Sequence, residues 1–381
     1  MVPPAPVDLP AGNALPPPRP SSRLMSLDAL RGFDMFWIVG GEGLIRSVAT
    51  VNNSALMAFL VAQLTHRDWE GVTFYDLIFP LFVFMVGVSL VFSLDRILAE
   101  KGRAAALKRI LRRSLLLFVI GVVYSSVPLS GIGDIRLLGV LQRIALCYLF
   151  TGILYCALRP RGLVITCGVL LVGYWALMTF VPVPGEGAGN FQEGHNLANY
   201  FDRRFLPFRK YDGDHDPEGI LSTLPATASC LLGIFAGRLL KNAAVPSRKK
   251  VKWLLILGVA GVVLGFLWGI QFPVVKKIWT SSYVLVAAGY SSILLAAFHQ
   301  VIEVWGFRTC VRPFVWIGRN PITMYLLFPV LTLLFMIGGN LGPGSAPTLG
   351  IYAELARSLA TLALVLAVAY ALDRRKIYLR L

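Results

Sequence analysis

Acidic side chains are scarce in this 381-residue chain: 20 Asp and Glu stand against 36 Lys and Arg, and there are only four histidines. Charged residues make up 15% of the sequence and apolar ones 56%, with a mean hydropathy of +0.68. So little charge cannot clothe a water-soluble domain of this length. The five cysteines (Cys147, Cys156, Cys167, Cys230, Cys310) lie in or beside apolar runs without CxxC spacing, which argues for small buried hydrophobes against a disulfide framework. Walker A, HExxH and GxSxG sequences are missing, as is any Cys/His cluster with ligand spacing. An ATP-driven pump, a zinc protease and a serine hydrolase are therefore disfavoured, and no metal is expected. No internal repeat of the transporter kind is found either.

What is present is a series of apolar runs about 20 residues long, the length needed to cross a bilayer. They predict ten spans, near 28–48, 73–95, 108–127, 137–158, 162–182, 220–240, 251–273, 279–303, 313–338 and 354–373. The fold class is all-α: a polytopic membrane protein, one bundle of about ten helices around a central polar cavity, over residues 23–381. Residues 1–22 are Pro-rich and lack the basic, apolar, small-residue order of a signal peptide, so they read as a disordered, retained cytoplasmic arm. With the N-terminus inside, 24 of the 36 basic residues fall in alternate loops, which predicts two cytoplasmic termini. The net charge of +16 is then a topology signal and a contact with anionic lipid, not a nucleic-acid footprint. Two long outer loops follow, 49–72 and 183–219.

Two segments set ionisable residues into these runs: SLDALRGFDMFWIVGGE, with Asp28, Arg31, Asp34 and Glu42, and HRDWEGVTFYDLIFPLFVFMVGVSL, with His66 and Asp76. Charge at membrane depth is expensive unless it is paired or lines a wet cavity, so it points to function. His66 exchanges a proton near neutral pH and sits at the outer mouth; its other reading is an interfacial histidine beside Trp69. Asp76 is either its partner or a helix-start acid favoured by the dipole. Gln142 with Arg143, and Arg31, Arg319 and Asn320, line a polar cavity or snorkel from helix ends, with arginines toward the inner end and the histidine at the outer one. GRNP at 318–321 predicts a kink. In DPEG, Asp216 reads as N-cap, Pro217 as N1 and Glu218 as a first-turn acid of the sixth span, Glu218 being also an outward acid for a cationic substrate. His195 and His215 read as solvated loop residues.

Six stretches now form a pattern: SLDALRGFDMFWI, HRDWEGVTFYDLIFPLFVFMVGVSL, GVLQRIALCY, DPEGILSTLPATASCLLGIFAG, PVVKKIWTSSYVL and WIGRNPITMYLL. In this order they resemble the heparan-alpha-glucosaminide N-acetyltransferase family and its bacterial relatives. The resemblance implies an enzyme of ten to eleven spans that moves acetyl from cytosolic acetyl-CoA to the amino group of a glucosamine-type sugar across the membrane. His66, in the HxxW motif, becomes the catalytic residue. Glu42 stands where the family has an asparagine, and Glu42 or Asp76 would orient the histidine. Arg31, Arg143, Gln142, Lys276, Lys277, Arg319 and Asn320 become candidates for the CoA phosphates, with Trp279 stacking on adenine or packing. Asp216, Glu218 and Trp69 would bind the sugar. The implied partners are acetyl-CoA, an amino-sugar acceptor of bacterial type, the lipid bilayer and a second copy of the chain, in a plasma membrane. Two other functions stay open: an amino-sugar transporter without acyl chemistry, and an O-acetyltransferase of envelope polysaccharide.

Overall fold

The computed structural model describes residues 24–52, 54–126, 132–337 and 352–379. The predicted N-terminal arm lies outside them. Thirteen α-helices run through the described residues, with no strand among them: α1 (Met25–Phe36), α2 (Glu42–Val51), α3 (Ala55–Gln63), α4 (Ile78–Ser125), α5 (Val140–Ala157), α6 (Pro160–Phe180), α7 (Leu197–Phe205), α8 (Thr223–Lys241), α9 (Ser247–Gly269), α10 (Ser281–His299), α11 (Arg312–Arg319), α12 (Pro321–Ile337) and α13 (Tyr352–Arg374). Pro160 opens α6, where its missing N–H costs nothing. Ser54, Asn196 and Thr280 cap α3, α7 and α10 through side-chain oxygens.

Seven of the described helices are long and apolar enough to cross a membrane, or eight when a bent pair counts as one, against the ten spans predicted. The first predicted span is broken: α1 passes into a wide π turn at Trp37–Gly41, with Gly40 out of helical geometry, before α2 begins. At 12 residues, α1 is only about 18 Å long. The predicted kink at GRNP is present, α11 and α12 meeting at 90°.

The second and third predicted spans form the single element α4, interrupted only at Gly102, whose φ of 75° is left-handed. Asp95 and Ile110 lie 15 residues apart, which a straight helix would stretch to about 22 Å. Yet the Asp95 carboxylate accepts from the Tyr155 hydroxyl at 2.6 Å, and Ile110 packs against Gly152 one turn away. The chain therefore reverses at Gly102. Both arms pack on the same neighbours, α4 lying along α5 and α8, while α9 lies along α10 and α1 along α11. The α1–α11 crossing is the tightest: a Cβ on Gly32 would fall 1.7 Å from the Phe314 carbonyl oxygen, and one on Gly318 1.8 Å from that of Asp28. Small residues let membrane helices approach this closely. Outward faces stay apolar, with Ile165 and Val169 on α6 and Leu257 and Leu264 on α9 exposed, as lipid-facing surfaces require.

The bundle has two chemically different ends. His66, Asp76, Arg136, the 183–219 loop and Lys276 gather at one. The other holds the Gly102 hairpin, the Asp95–Lys241 ion pair and the α1–α11 crossing.

Candidate active site

The segment between α3 and α4 is irregular because HRDWEG offers no apolar period, and this frees His66 to be fixed by side chains. Its Nδ1 lies 2.7 Å from Asp76 Oδ1. Asp76 is fully buried, while the His66 side chain is half exposed. The other oxygen of Asp76 accepts from Thr73 N (3.0 Å), Thr73 Oγ1 (3.0 Å) and Arg67 N (3.2 Å). So many donors fix the carboxylate in one orientation. The ring is thus held between an anion and a cation, since the Lys276 ammonium lies 2.8 Å from Nδ1 and 3.3 Å from Nε2. The Tyr75 ring flanks the imidazole, with centroids 4.7 Å apart, and the Tyr283 hydroxyl donates to the Asp76 carbonyl at 2.7 Å.

Lys276 completes this group from far along the chain. Gly71 N donates to Val274 O at 2.9 Å and Glu70 pairs with Val275, which brings the Lys276 ammonium to 3.2 Å from Asp76 Oδ1 and 3.3 Å from His66 Nε2. Burial lowers the Lys276 pKa against the opposing pull of Asp76. Of the two acids expected to orient His66, the structure places Asp76 there. Glu42 pairs with Arg46, which donates to Leu64 O and Thr65 Oγ1 at 3.1 Å each, so Glu42 reaches the histidine only through two intermediaries. Trp69 donates to Phe191 O at 2.9 Å. Together with Glu70, residues 188–192 and Pro273 it lines a cleft of 480 Å³. This cleft sits at the His66 end of the bundle.

A second polar group stands behind Tyr283. Arg136, unremarked in the sequence, binds Asp216 through both its Nε (2.9 Å) and Nη2 (2.7 Å) and reaches Glu218 at 2.6 Å. Burial opposes its charge, but the two acids together raise its pKa. Asp216 caps a turn and not a helix: its carboxylate accepts from Glu218 N (3.0 Å) as well as from Arg136 and Tyr211 N (3.1 Å), DPEG closes on the Gly219 N to Asp216 O bond (2.9 Å), and α8 begins only at Thr223. Arg143 lies in the first turn of α5, 1% exposed, and donates to the carbonyls of Pro217, Gly219 and Ser222 and to Ser222 Oγ. Its guanidinium also sits 5.2 Å above the Trp279 ring. Gln142 donates to Ser125 Oγ and Arg136 O. Buried Trp279, in a left-handed conformation, donates to Ser229 Oγ at 3.1 Å, and packing is its role here. Lys277 pairs with Glu193 and Asp212.

The predicted CoA set therefore divides. Gln142, Arg143, Lys276, Lys277 and Trp279 share one end with His66, against the expectation of arginines gathered at the end away from it. Only Arg31, Arg319 and Asn320 lie at the opposite end. There Arg31 contacts Asp28 (3.1 Å), Ser89 Oγ (2.7 Å) and Gly318 O (3.3 Å), and Arg319 contacts Asp373 at 2.5 Å. Asn320 clasps the C-terminal segment through Ile377 O and Leu379 N.

Asp202 on α7 ties the outer loop to DPEG by accepting from Ile220 N (2.8 Å) and Asp216 N (3.4 Å). Burial raises its pKa to about 6, with Asp216 adding to the rise and the two N–H donors and Arg143 opposing it. The folded state then holds a proton that the unfolded chain releases near pH 4, so this contribution is full at low pH and fades as pH rises through about 6. It amounts to roughly 2–3 kcal/mol. Amide exchange over residues 197–222, corrected for intrinsic rates, should show more protection at pH 5 than at pH 7, and Asp202→Asn should flatten the difference. Equal protection in the wild type would count against it.

Residues 23–265 match the family model described as heparan-alpha-glucosaminide N-acetyltransferase, catalytic. A human protein (Homo sapiens) named heparan-alpha-glucosaminide N-acetyltransferase is 29% identical over 408 residues, covering 88% of this chain and 59% of its own length. A mouse protein (Mus musculus) of the same name is 28% identical over 380 residues, covering 82% of this chain and 56% of its own. The chain thus spans under two thirds of the length of these relatives. With a matched segment that takes in His66, Asp76, Arg136 and DPEG, the chain belongs to the heparan-alpha-glucosaminide N-acetyltransferase catalytic family.

Proposed function

We propose that this chain is a transmembrane acetyltransferase that takes acetyl from cytosolic acetyl-CoA and delivers it to the amino group of a glucosamine-type sugar on the opposite side of a plasma membrane. The observation that carries this reading is the 2.7 Å contact between His66 Nδ1 and Asp76 Oδ1, which sets the imidazole at the mouth of the bundle, where Nε2 serves as the base once the Lys276 ammonium 3.3 Å away turns to the substrate carbonyl. The amine nitrogen attacks the thioester carbonyl, the C–N bond forms as the C–S bond breaks, and the amine proton passes to Nε2 and on to the departing thiolate. A two-step route through acetyl-histidine uses the same pair. Asp76 compensates the charge gained by the ring, and Lys276 supplies a cation where the carbonyl oxygen becomes negative.

The acceptor enters by the Trp69–Glu70 cleft, whose indole and carboxylate suit a sugar ring bearing an ammonium. Asp216 and Glu218 share the Arg136 guanidinium and serve the loop instead. On the cytosolic side, Arg31, Arg319 and Asn320 are the nearest groups for the nucleotide, although Asp28 and Asp373 balance the two arginines.

Purified protein incubated with labelled acetyl-CoA and glucosamine should yield an amide. An ester on a polysaccharide hydroxyl would make it an O-acetyltransferase, and sugar uptake without any acetylated product a transporter. Asp76→Asn should keep the ring in place but lose the charge that fixes its tautomer, lowering turnover by about 10³–10⁴-fold with acetyl-CoA affinity retained. A loss of affinity at unchanged turnover would count against the assignment.

The sidedness is tested separately. Cys310 is exposed and belongs to the predicted cytoplasmic end, whereas Asn190 lines the outer cleft. In intact cells an impermeant thiol reagent should label Asn190→Cys and reach Cys310 only after permeabilisation. The reverse order would invert the topology.

A further inference from the structure

The outer loop gathers three ligand-type side chains that chain distance hides. Glu193 Oε1 lies 3.5 Å and Asp212 Oδ2 3.8 Å from His215 Nε2, and each ligand atom is within 4.8 Å of the others. His215, read as solvated from the sequence, has a side chain only 5% exposed. Its Nδ1 contacts Asp214 Oδ1 at 2.6 Å, while its Nε2 has no hydrogen-bond partner. With Nδ1–H donating to Asp214, the Nε2 lone pair faces two carboxylate oxygens, which are acceptors with no proton to give it. Such a buried, unsatisfied group calls for a positive centre between the three atoms.

We propose that Glu193, Asp212 and His215 bind a first-row divalent metal, zinc by preference. Ligand bonds of 2.0–2.1 Å in tetrahedral geometry set neighbouring ligand atoms about 3.4 Å apart, close to the two separations on His215. One imidazole with two carboxylates suits zinc better than magnesium or calcium, which take all-oxygen shells. Asp214 supplies the outer carboxylate that metal-bound histidines regularly carry on the second ring nitrogen, fixing the tautomer that exposes Nε2. The ammonium of Lys277, 2.6 Å from Glu193 Oε1 and 3.3 Å from Asp212 Oδ2, holds the same two carboxylates. It is the built-in competitor: metal entry displaces it to solvent, toward which its side chain is already 26% exposed. The metal ties Glu193 to the 212–215 turn within the loop and has no part in acetyl transfer.

The test is a zinc titration of the full-length, chelator-treated protein in detergent, against a chromophoric competitor and with metal content as the readout. The expected result is one zinc per chain. Asp214→Asn should weaken it by about 10–100-fold, His215→Gln should abolish it, and Lys277→Met should tighten it. X-ray absorption of the loaded protein should show one imidazole nitrogen among oxygen ligands. A wild-type chain that binds no zinc overturns the proposal, and so does zinc retained undiminished in His215→Gln, which would place it on exposed His195 and Glu186. Should His215→Gln fail to fold, the wild-type stoichiometry and the Lys277→Met comparison decide it. Because no outcome depends on activity, the site stands or falls independently of the acetyltransferase reading.

Discussion

His66→Ala is expected to reduce acetyl transfer by about 10²–10⁴-fold if the ring acts only as a base, and to abolish it if the ring carries the acetyl group. Folding should be nearly unaffected. The imidazole is half exposed, and Asp76 keeps Lys276, Thr73 and the Arg67 amide as partners when it is gone. Turnover and acetyl-CoA affinity measured on one preparation separate the cases: turnover lost at constant affinity supports the base, and both lost together would mean a misfolded outer end. Residual activity at the lower bound favours direct transfer over an acetyl-enzyme. Normal turnover would reduce His66 to an interfacial residue and end the mechanism.

Arg136→Ala carries the largest expected stability effect. Arg136 faces Asp216, whose side chain is wholly buried, and Glu218, which is 11% exposed. Removing the cation strands two acids where water barely reaches. Breaking a buried pair from one side costs about 3–5 kcal/mol, and here DPEG, the Arg143 cradle and the start of α8 would loosen with it. Burial and the neighbouring Asp216 already raise the Glu218 pKa. In the variant the acids should therefore bind protons more readily in the folded state, so the deficit should shrink as pH falls. Adding Asp216→Asn and Glu218→Gln to the variant should recover much of it. Thermal unfolding of the three proteins at two pH values measures this, and a single variant as stable as the wild type would show the triad to be incidental.

Legibility in the sequence follows contact distance. His66 and Asp76 are ten positions apart in one polar interruption of an apolar chain, and both were readable as a pair. The all-helical bundle was readable from run length, and the bend at Asn320–Pro321 from its proline. Arg136 was not, because its partners lie 80 and 82 residues downstream and nothing local marks it. Lys276 stood out only as a cation; its place beside His66 depends on the backbone pairing of Glu70 with Val275. Asp216 was misread because N-cap, proline and acid form a complete local signal for a helix start, which here closes only a turn. Arg143 was read as a phosphate ligand since a lone arginine near a span looks available, yet four oxygens of one loop hold it. The metal trio was invisible for the same reason, Glu193 standing 22 positions before His215.

The reversal at Gly102 bears on how this protein can be imaged. A 41.8 kDa chain with most of its mass in a micelle offers electron microscopy few features for aligning particles. At Gly102 two continuous helices emerge side by side at one end, and nothing lies within 4 Å of the position a Cβ would take. Exposed tips of this kind accept inserted domains. A soluble helical bundle spliced there, in phase with both arms of α4, would project as a rigid fiducial mark from the end opposite His66 and leave the reacting groups untouched.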